Sequence, residues 1–271
     1  MLGKEIRLNR LMRRGDGRYL GLTVDHAISR GVLPGLDTID KTLARLAAGE
    51  PDAITMHKGI AQRCFAPYAG KIPLVLKCTA FGLYHFDEDV PVADVDEAVS
   101  LGADAISVGC IVGGDNQPGQ LKMLARFSKA AGQAGMPLIS HIYPRGNQIG
   151  KADQYAWQNV AYAARTAAEL GVDLIKTNYT GDQESFARVV AAAPTRVAIA
   201  GGEHNGSVED FLRMTRDVMD AGAIGVTYGR FVFQYRNPAA LVKAVNYIVH
   251  GNATVREALE LLKTIENGGE Q

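Results

Sequence analysis

ELGVDLIKT, residues 169–177, passes from a helix pattern to a strand pattern across one glycine. The run before it, YAWQNVAYAARTAAEL, carries apolar residues at helical spacing. Gly171 can take the left-handed turn that stops a helix, and Leu174 and Ile175 open a short β-prone run. The same phrase returns as SLGADAISV at 100–108, QAGMPLIS at 133–140 and DAGAIGVTY at 220–228. Repetition of helix, glycine and strand predicts a series of βα units with parallel strands. Eight apolar, β-rich runs occur, at 19–25, 53–56, 73–78, 105–110, 137–143, 174–178, 197–200 and 224–228, with amphipathic stretches between them. Eight units fit a closed (β/α)8 barrel. An open doubly wound sheet is the alternative, but no G-x-G-x-x-G follows the first strand.

The segment DTIDKTLARLAAGE reads as a helix with Asp37 as its N-cap. An extra N-terminal helix is expected over 3–14, the last barrel helix over 239–250 and a further C-terminal helix over 254–265. No break in composition divides the chain, so residues 1–271 read as one domain.

Of the 271 residues, 47% are hydrophobic and 21% charged, which supports a large core and excludes disorder as the main state. Lys plus Arg and Asp plus Glu are 29 each, so no net charge draws the chain to nucleic acid or an anionic membrane, and any bound anion must be caught locally. Three scattered cysteines, Cys64, Cys78 and Cys110, fit a reducing compartment and neither a disulfide framework nor a zinc site. The basic start has no apolar signal core, and no run reaches the ~18 apolar residues of a membrane span, so a cytoplasmic protein is expected.

Barrel active sites form at the C-terminal ends of the strands. The polar residues expected there are Asp25 and His26, His57 and Lys58, Lys77, His141, Tyr143 and Arg145, Lys176, the Gly201-Gly202-Glu203-His204 run, and Gly229-Arg230. Lys176 interrupts an apolar strand. Burial disfavours the ammonium, and the free amine can condense with a ketone to a Schiff base. Equally, Lys176 can be paired with Asp25 or another carboxylate and have no covalent role. Lys77 rivals it by the same reasoning, and strand parity does not choose between them. Tyr143 can relay a proton or simply pack its ring; Asp25 can assist proton transfer or hold a lysine. The histidines come from different strands without H-x-x-x-H spacing, so no metal is expected. Gly201, Gly202, Gly229 and Arg230 fall after the seventh and eighth strands, where barrels often bind phosphate. Glu203 would repel an anion if it faced inward.

The ordered set Asp25-His26, His57-Lys58-Gly59-Ile60, Tyr143-Pro144-Arg145-Gly146, Lys176-Thr177-Asn178-Tyr179-Thr180-Gly181-Asp182, Ala200-Gly201-Gly202 and Gly229-Arg230-x-x-Phe233-Gln234 resembles the DeoC/archaeal-type class I fructose-1,6-bisphosphate aldolase family. LGKEIRLNRL, VDHAISRGVLPGL and IVHGNATVREAL are similar to its 2-amino-3,7-dideoxy-D-threo-hept-6-ulosonate synthase branch. The resemblance implies a (β/α)8 barrel assembled as a homo-oligomer, decamers included. It implies a Schiff base on Lys176 with no cofactor or metal, Tyr143 as acid/base and Asp25 as the second proton-handling residue. It assigns Gly201, Gly202, Gly229 and Arg230 to a substrate phosphate, and His26, Lys58 and Arg145 also fall among the expected substrate-binding residues. The implied partners are a phosphorylated ketose such as dihydroxyacetone phosphate or a fructose phosphate, and an aldehyde such as L-aspartate semialdehyde. A non-catalytic sugar-phosphate barrel and a thiolase-type relative are the alternatives. The chain departs from the family pattern at Ala27, His141, His204, Phe231 and Val232.

Overall fold

The computed structural model describes residues 1–202 and 206–268. Its strands are β1 Tyr19–Thr23, β2 Ala53–Met56, β3 Leu74–Lys77, β4 Thr79–Gly82, β5 His85–Pro91, β6 Ala105–Val112, β7 Leu138–Pro144, β8 Leu174–Thr177, β9 Arg196–Ala200 and β10 Gly225–Tyr228. Eight of them close into a barrel in the order β1-β10-β9-β8-β7-β6-β3-β2, and β4 and β5 form a separate hairpin. Every barrel pairing is parallel, and Tyr19 opposite Gly225 joins the two ends. The closed barrel expected from the sequence is therefore the fold, with extra helices Leu2–Leu11 and Val255–Gly268 at the ends.

The repeated glycine phrase works as its chemistry requires. Gly102, Gly135, Gly171 and Gly222 have φ of 70°, 58°, 80° and 91°. After each, the next N–H donates to the carbonyl five residues back: Ala103 to Ala98, Met136 to Ala131, Val172 to Ala167 and Ala223 to Val218, at 2.8–3.2 Å. This closes the last helical turn and turns the chain back toward the sheet. A side chain would strain the left-handed backbone. Asp37 does not cap its helix. Thr38 holds that position, and the Asp37 carboxylate instead accepts the Gly35 N–H at 3.0 Å.

Side chains alternate along each strand. Tyr19, Ala53, Val75, Ala105, Ile139, Leu174 and Ala198 form an apolar cluster with Leu11 of the N-terminal helix, which plugs the barrel floor. Two residues further along β3, β6, β7 and β8 stand Lys77, Ser107, His141 and Lys176. The larger core lies between the barrel and its helices. The hairpin is not among the expected strands. Its second strand, HFDEDVP, is exposed at every position but Asp89, and therefore lacks the apolar signal of a barrel strand. Among the described residues no helix is long and apolar enough to cross a membrane.

A charged lock joins the chain's two ends below the barrel. Buried Asp52 accepts the Leu20 N–H at 2.7 Å and His250 Nε2–H at 2.9 Å, while His250 Nδ1 lies 2.6 Å from Asp16. Burial alone would lower the His250 pKa, but the two carboxylates outweigh it and raise it. The stabilisation is thus complete below the unfolded value of about 6.5 and lost as pH rises through the higher folded value. His250→Gln is expected to cost about 1–3 kcal/mol at pH 6 and less at pH 9. Thermal melts at both pH values check this, and an equal loss at both would show that the imidazolium charge contributes nothing.

Candidate active site

The strand ends and the hairpin surround a cavity of about 560 Å³, lined on opposite sides by Asp25, Lys77, Tyr143, Lys176 and Arg230 among others. Lys176 is 6% exposed and sits in register with His141 on β7 and Ala198 on β9. It makes no hydrogen bond or ion pair with a described residue. Burial lowers its amine to about 8; Asp25 pulls the value up, and Lys77 and Arg230 push it down.

Lys77 also faces the cavity and is as buried, so parity does not separate the two lysines. Their partners do. Lys77 Nζ donates to Thr79 Oγ1 at 3.3 Å and lies 4.0 Å from Asp89 Oδ1. Asp89 comes from β5, is 4% exposed and accepts Thr79 Oγ1–H at 2.8 Å. Lys77 is the lysine held by a carboxylate, whereas Asp25 acts on Lys176 through its field without an ion-pair contact.

Burial would raise the Asp25 pKa, but the charges of His26, Lys176, Lys77 and His57 outweigh it and hold the carboxyl below its ordinary value. Asp25 is therefore an anion at neutral pH. His26 lies 3.6 Å from Asp25 through Nδ1, and burial lowers its imidazole to about 4. Its ring fills the space where a Gly229 side chain would stand, which explains why the β10 turn needs a glycine. His57 Nδ1 lies 3.2 Å from the Lys77 carbonyl.

Tyr143 ends β7. Burial, with the nearby Asp25 and Asp89, raises its pKa despite Arg145, so the phenol keeps its proton. The Arg145 guanidinium stacks 4.1 Å from the Phe81 ring centre and 5.4 Å from that of Tyr143. Its Nε and Nη2 are buried without hydrogen-bond partners among the described residues, an arrangement suited to an anion. Gly201, Gly202, Gly229 and Arg230 line the same cavity beyond β9 and β10. Glu203 and His204 lie outside the described residues. Phe231 stacks on Phe211 with centroids 4.3 Å apart. Val232 is buried and Ala27 exposed.

Lys58, expected among the substrate-binding residues, is not among those lining the cavity. It starts the helix Lys58–Cys64, and its Nζ pairs with Glu97 at 2.6 Å. Sequence reading also misses Arg30, Phe81, Phe86, Asp89 and Lys151, all of which line the cavity. The alternation of aromatic and acidic residues in YHFDEDV is the one signal that points to a hairpin there. Nothing local marks Arg30 or Lys151. Among the described residues no group of three or more His, Cys, Asp or Glu is placed to hold a metal.

The profile of the DeoC/LacD family aldolases matches residues 20–235. A 2-amino-3,7-dideoxy-D-threo-hept-6-ulosonate synthase of Halobacterium salinarum is 39% identical over 259 residues, covering 95% of each chain. The class 1 fructose-bisphosphate aldolase of Thermoproteus tenax is 34% identical over 253 residues, covering 90% of this chain and 94% of the other. A solved archaeal fructose-1,6-bisphosphate aldolase, with its catalytic lysine covalently bound to the carbinolamine intermediate, superposes with a TM-score of 0.83 at 32% identity. It covers 91% of this chain and 99% of its own. The chain thus belongs to the DeoC/LacD family of aldolases, as a class I, Schiff-base enzyme that makes or breaks carbon–carbon bonds.

Proposed function

We propose that the protein is an aldolase or transaldolase that forms its Schiff base on Lys176, with a phosphorylated ketose as donor and an aldehyde as acceptor. The observation that carries this is the Lys176 amine, buried in the cavity and lowered to about 8, with no ion-pair partner among the described residues to hold its proton. At pH 7 this leaves roughly 300 times more free amine than an ordinary lysine has.

Lys176 Nζ attacks the ketone carbon to give a carbinolamine. Tyr143 donates its phenolic proton to the carbinolamine oxygen, water leaves, and the iminium remains. In cleavage, Asp25 helps remove the proton from the hydroxyl on the carbon at the far end of the breaking bond, which becomes the aldehyde carbon. The bonding electrons then flow into the iminium to give an enamine, and an aldehyde departs. Synthesis runs the same steps backward, with the enamine attacking the aldehyde. Asp25, an anion close enough to stabilise positive charge on Lys176, supports the iminium.

Gly201, Gly202, Gly229 and Arg230 are the proposed phosphate site, and Arg145 the anion contact across the cavity. His26, neutral and packed under Gly229, supports the phosphate turn. Dihydroxyacetone phosphate and the fructose phosphates are the proposed donors, in keeping with the aldolase relative. The hept-6-ulosonate synthase relative supports L-aspartate semialdehyde as the first acceptor to test. The working form is proposed to be a homo-oligomer, with exposed Leu83 and Tyr84 at the hairpin tip available for assembly.

Borohydride reduction in the presence of dihydroxyacetone phosphate is expected to leave a stable adduct on the peptide containing Lys176, read by mass. An adduct on Lys77 would move the covalent role to that residue. No adduct with any phosphoketone tested would defeat the proposed reaction.

A further inference from the structure

One buried group in the cavity has no part in these steps. His141 is 5% exposed, lines the cavity and stands directly opposite Lys176 in the β7–β8 register. Its Nε2 is buried and has no hydrogen-bond partner among the described residues. Such a nitrogen is costly to leave unmatched, so a buried imidazole facing a cavity calls for a ligand atom. Burial, with Lys176 and Lys77 nearby, pushes its pKa well below the ordinary value. The ring is neutral and offers both a donor and an acceptor.

The two strands flanking Lys176 differ in what they offer. On β9 the residue in register is Ala198, which presents only a methyl group. On β7 it is His141. A ketone carbon joined to Lys176 carries two arms. The phosphate-bearing arm is drawn toward the glycine turns that follow β9 and β10. The other arm is left facing β7.

We propose that His141 is a substrate-contacting residue that hydrogen-bonds the hydroxyl on the unphosphorylated carbon beside the imine carbon, so that the site selects hydroxyketone donors over their deoxy analogues. This rests on the assignment of the Schiff base to Lys176. It explains why a polar ring occupies a wall position beside the reactive amine while the matching position on the other side is alanine.

The test compares borohydride trapping of two ketones by the full-length protein. Dihydroxyacetone phosphate carries the hydroxyl; acetol phosphate is the same ketone without it. The wild-type protein is expected to trap the hydroxyketone with a second-order rate constant about tenfold to a hundredfold higher. His141→Leu is expected to lose about that factor for dihydroxyacetone phosphate while changing less than about threefold for acetol phosphate. His141→Gln, which keeps a polar atom, should recover part of the preference. Equal losses for both ketones, or no loss for either, would overturn the assignment and leave Lys176 untouched. If His141→Leu does not fold, absence of a preference in the wild-type protein overturns it by itself. Trapping of neither ketone by the wild-type protein would overturn the Lys176 reading and this assignment together.

Discussion

Lys176→Met is expected to abolish carbon–carbon bond chemistry, with turnover falling on the order of 10^4-fold or more. Methionine has a similar length and no polar atom, so the barrel wall keeps its shape. The covalent imine that would accept the bonding electrons can no longer form. Nothing else is placed to replace it, since Lys77 is engaged with Thr79 and Asp89. The same substitution should make the protein more stable. A lysine lowered to about 8 by burial binds its proton less tightly folded than unfolded. Between about 8 and the unfolded value near 10.4 the unfolded chain holds more protons, so wild-type stability rises with pH across that window. Below about 8 the full penalty applies, on the order of 3 kcal/mol. Lys176→Met removes it. Its melting temperature should exceed the wild-type value at pH 7, and the gap should narrow at pH 10. An inactive variant that is more stable is the mark of a strained functional group rather than a structural one. Retained activity, or a melting temperature that falls at pH 7, would contradict the reading. The wild-type rate of imine formation should rise with pH through about 8, as the amine loses its proton.

Tyr143→Phe is expected to lower kcat by about 10^2–10^4-fold while leaving donor KM within about threefold of the wild-type value. The ring stays, so its contact with the Arg145 guanidinium stays. Only the phenolic proton is removed. The raised pKa keeps that proton in place at neutral pH, where it is needed to expel water from the carbinolamine. Steady-state kinetics with dihydroxyacetone phosphate and an aldehyde provide the measurement. The rate of borohydride trapping should fall by a similar factor, because the lost step lies before the imine. Unchanged kcat would remove Tyr143 from acid/base chemistry. A large rise in KM with kcat intact would make it a binding residue instead.

The βα repeat was legible because its signals are local. A glycine four times placed between a helix and a strand controls a few bonds of backbone, and each of those four glycines adopts a left-handed φ. The hairpin of β4 and β5 was not legible: β5 is exposed at every position but Asp89, and only the hairpin's place beside the cavity gives it a role.

What the sequence determined by itself was the closed parallel barrel and the set of polar residues at its strand ends, because periodicity and turn chemistry act over short distances. Which lysine is paired with a carboxylate, and that Asp89 and Arg30 reach the same cavity, only the tertiary structure decided. Burial and charge at a site are sums over side chains far apart in the chain, and no local pattern encodes them.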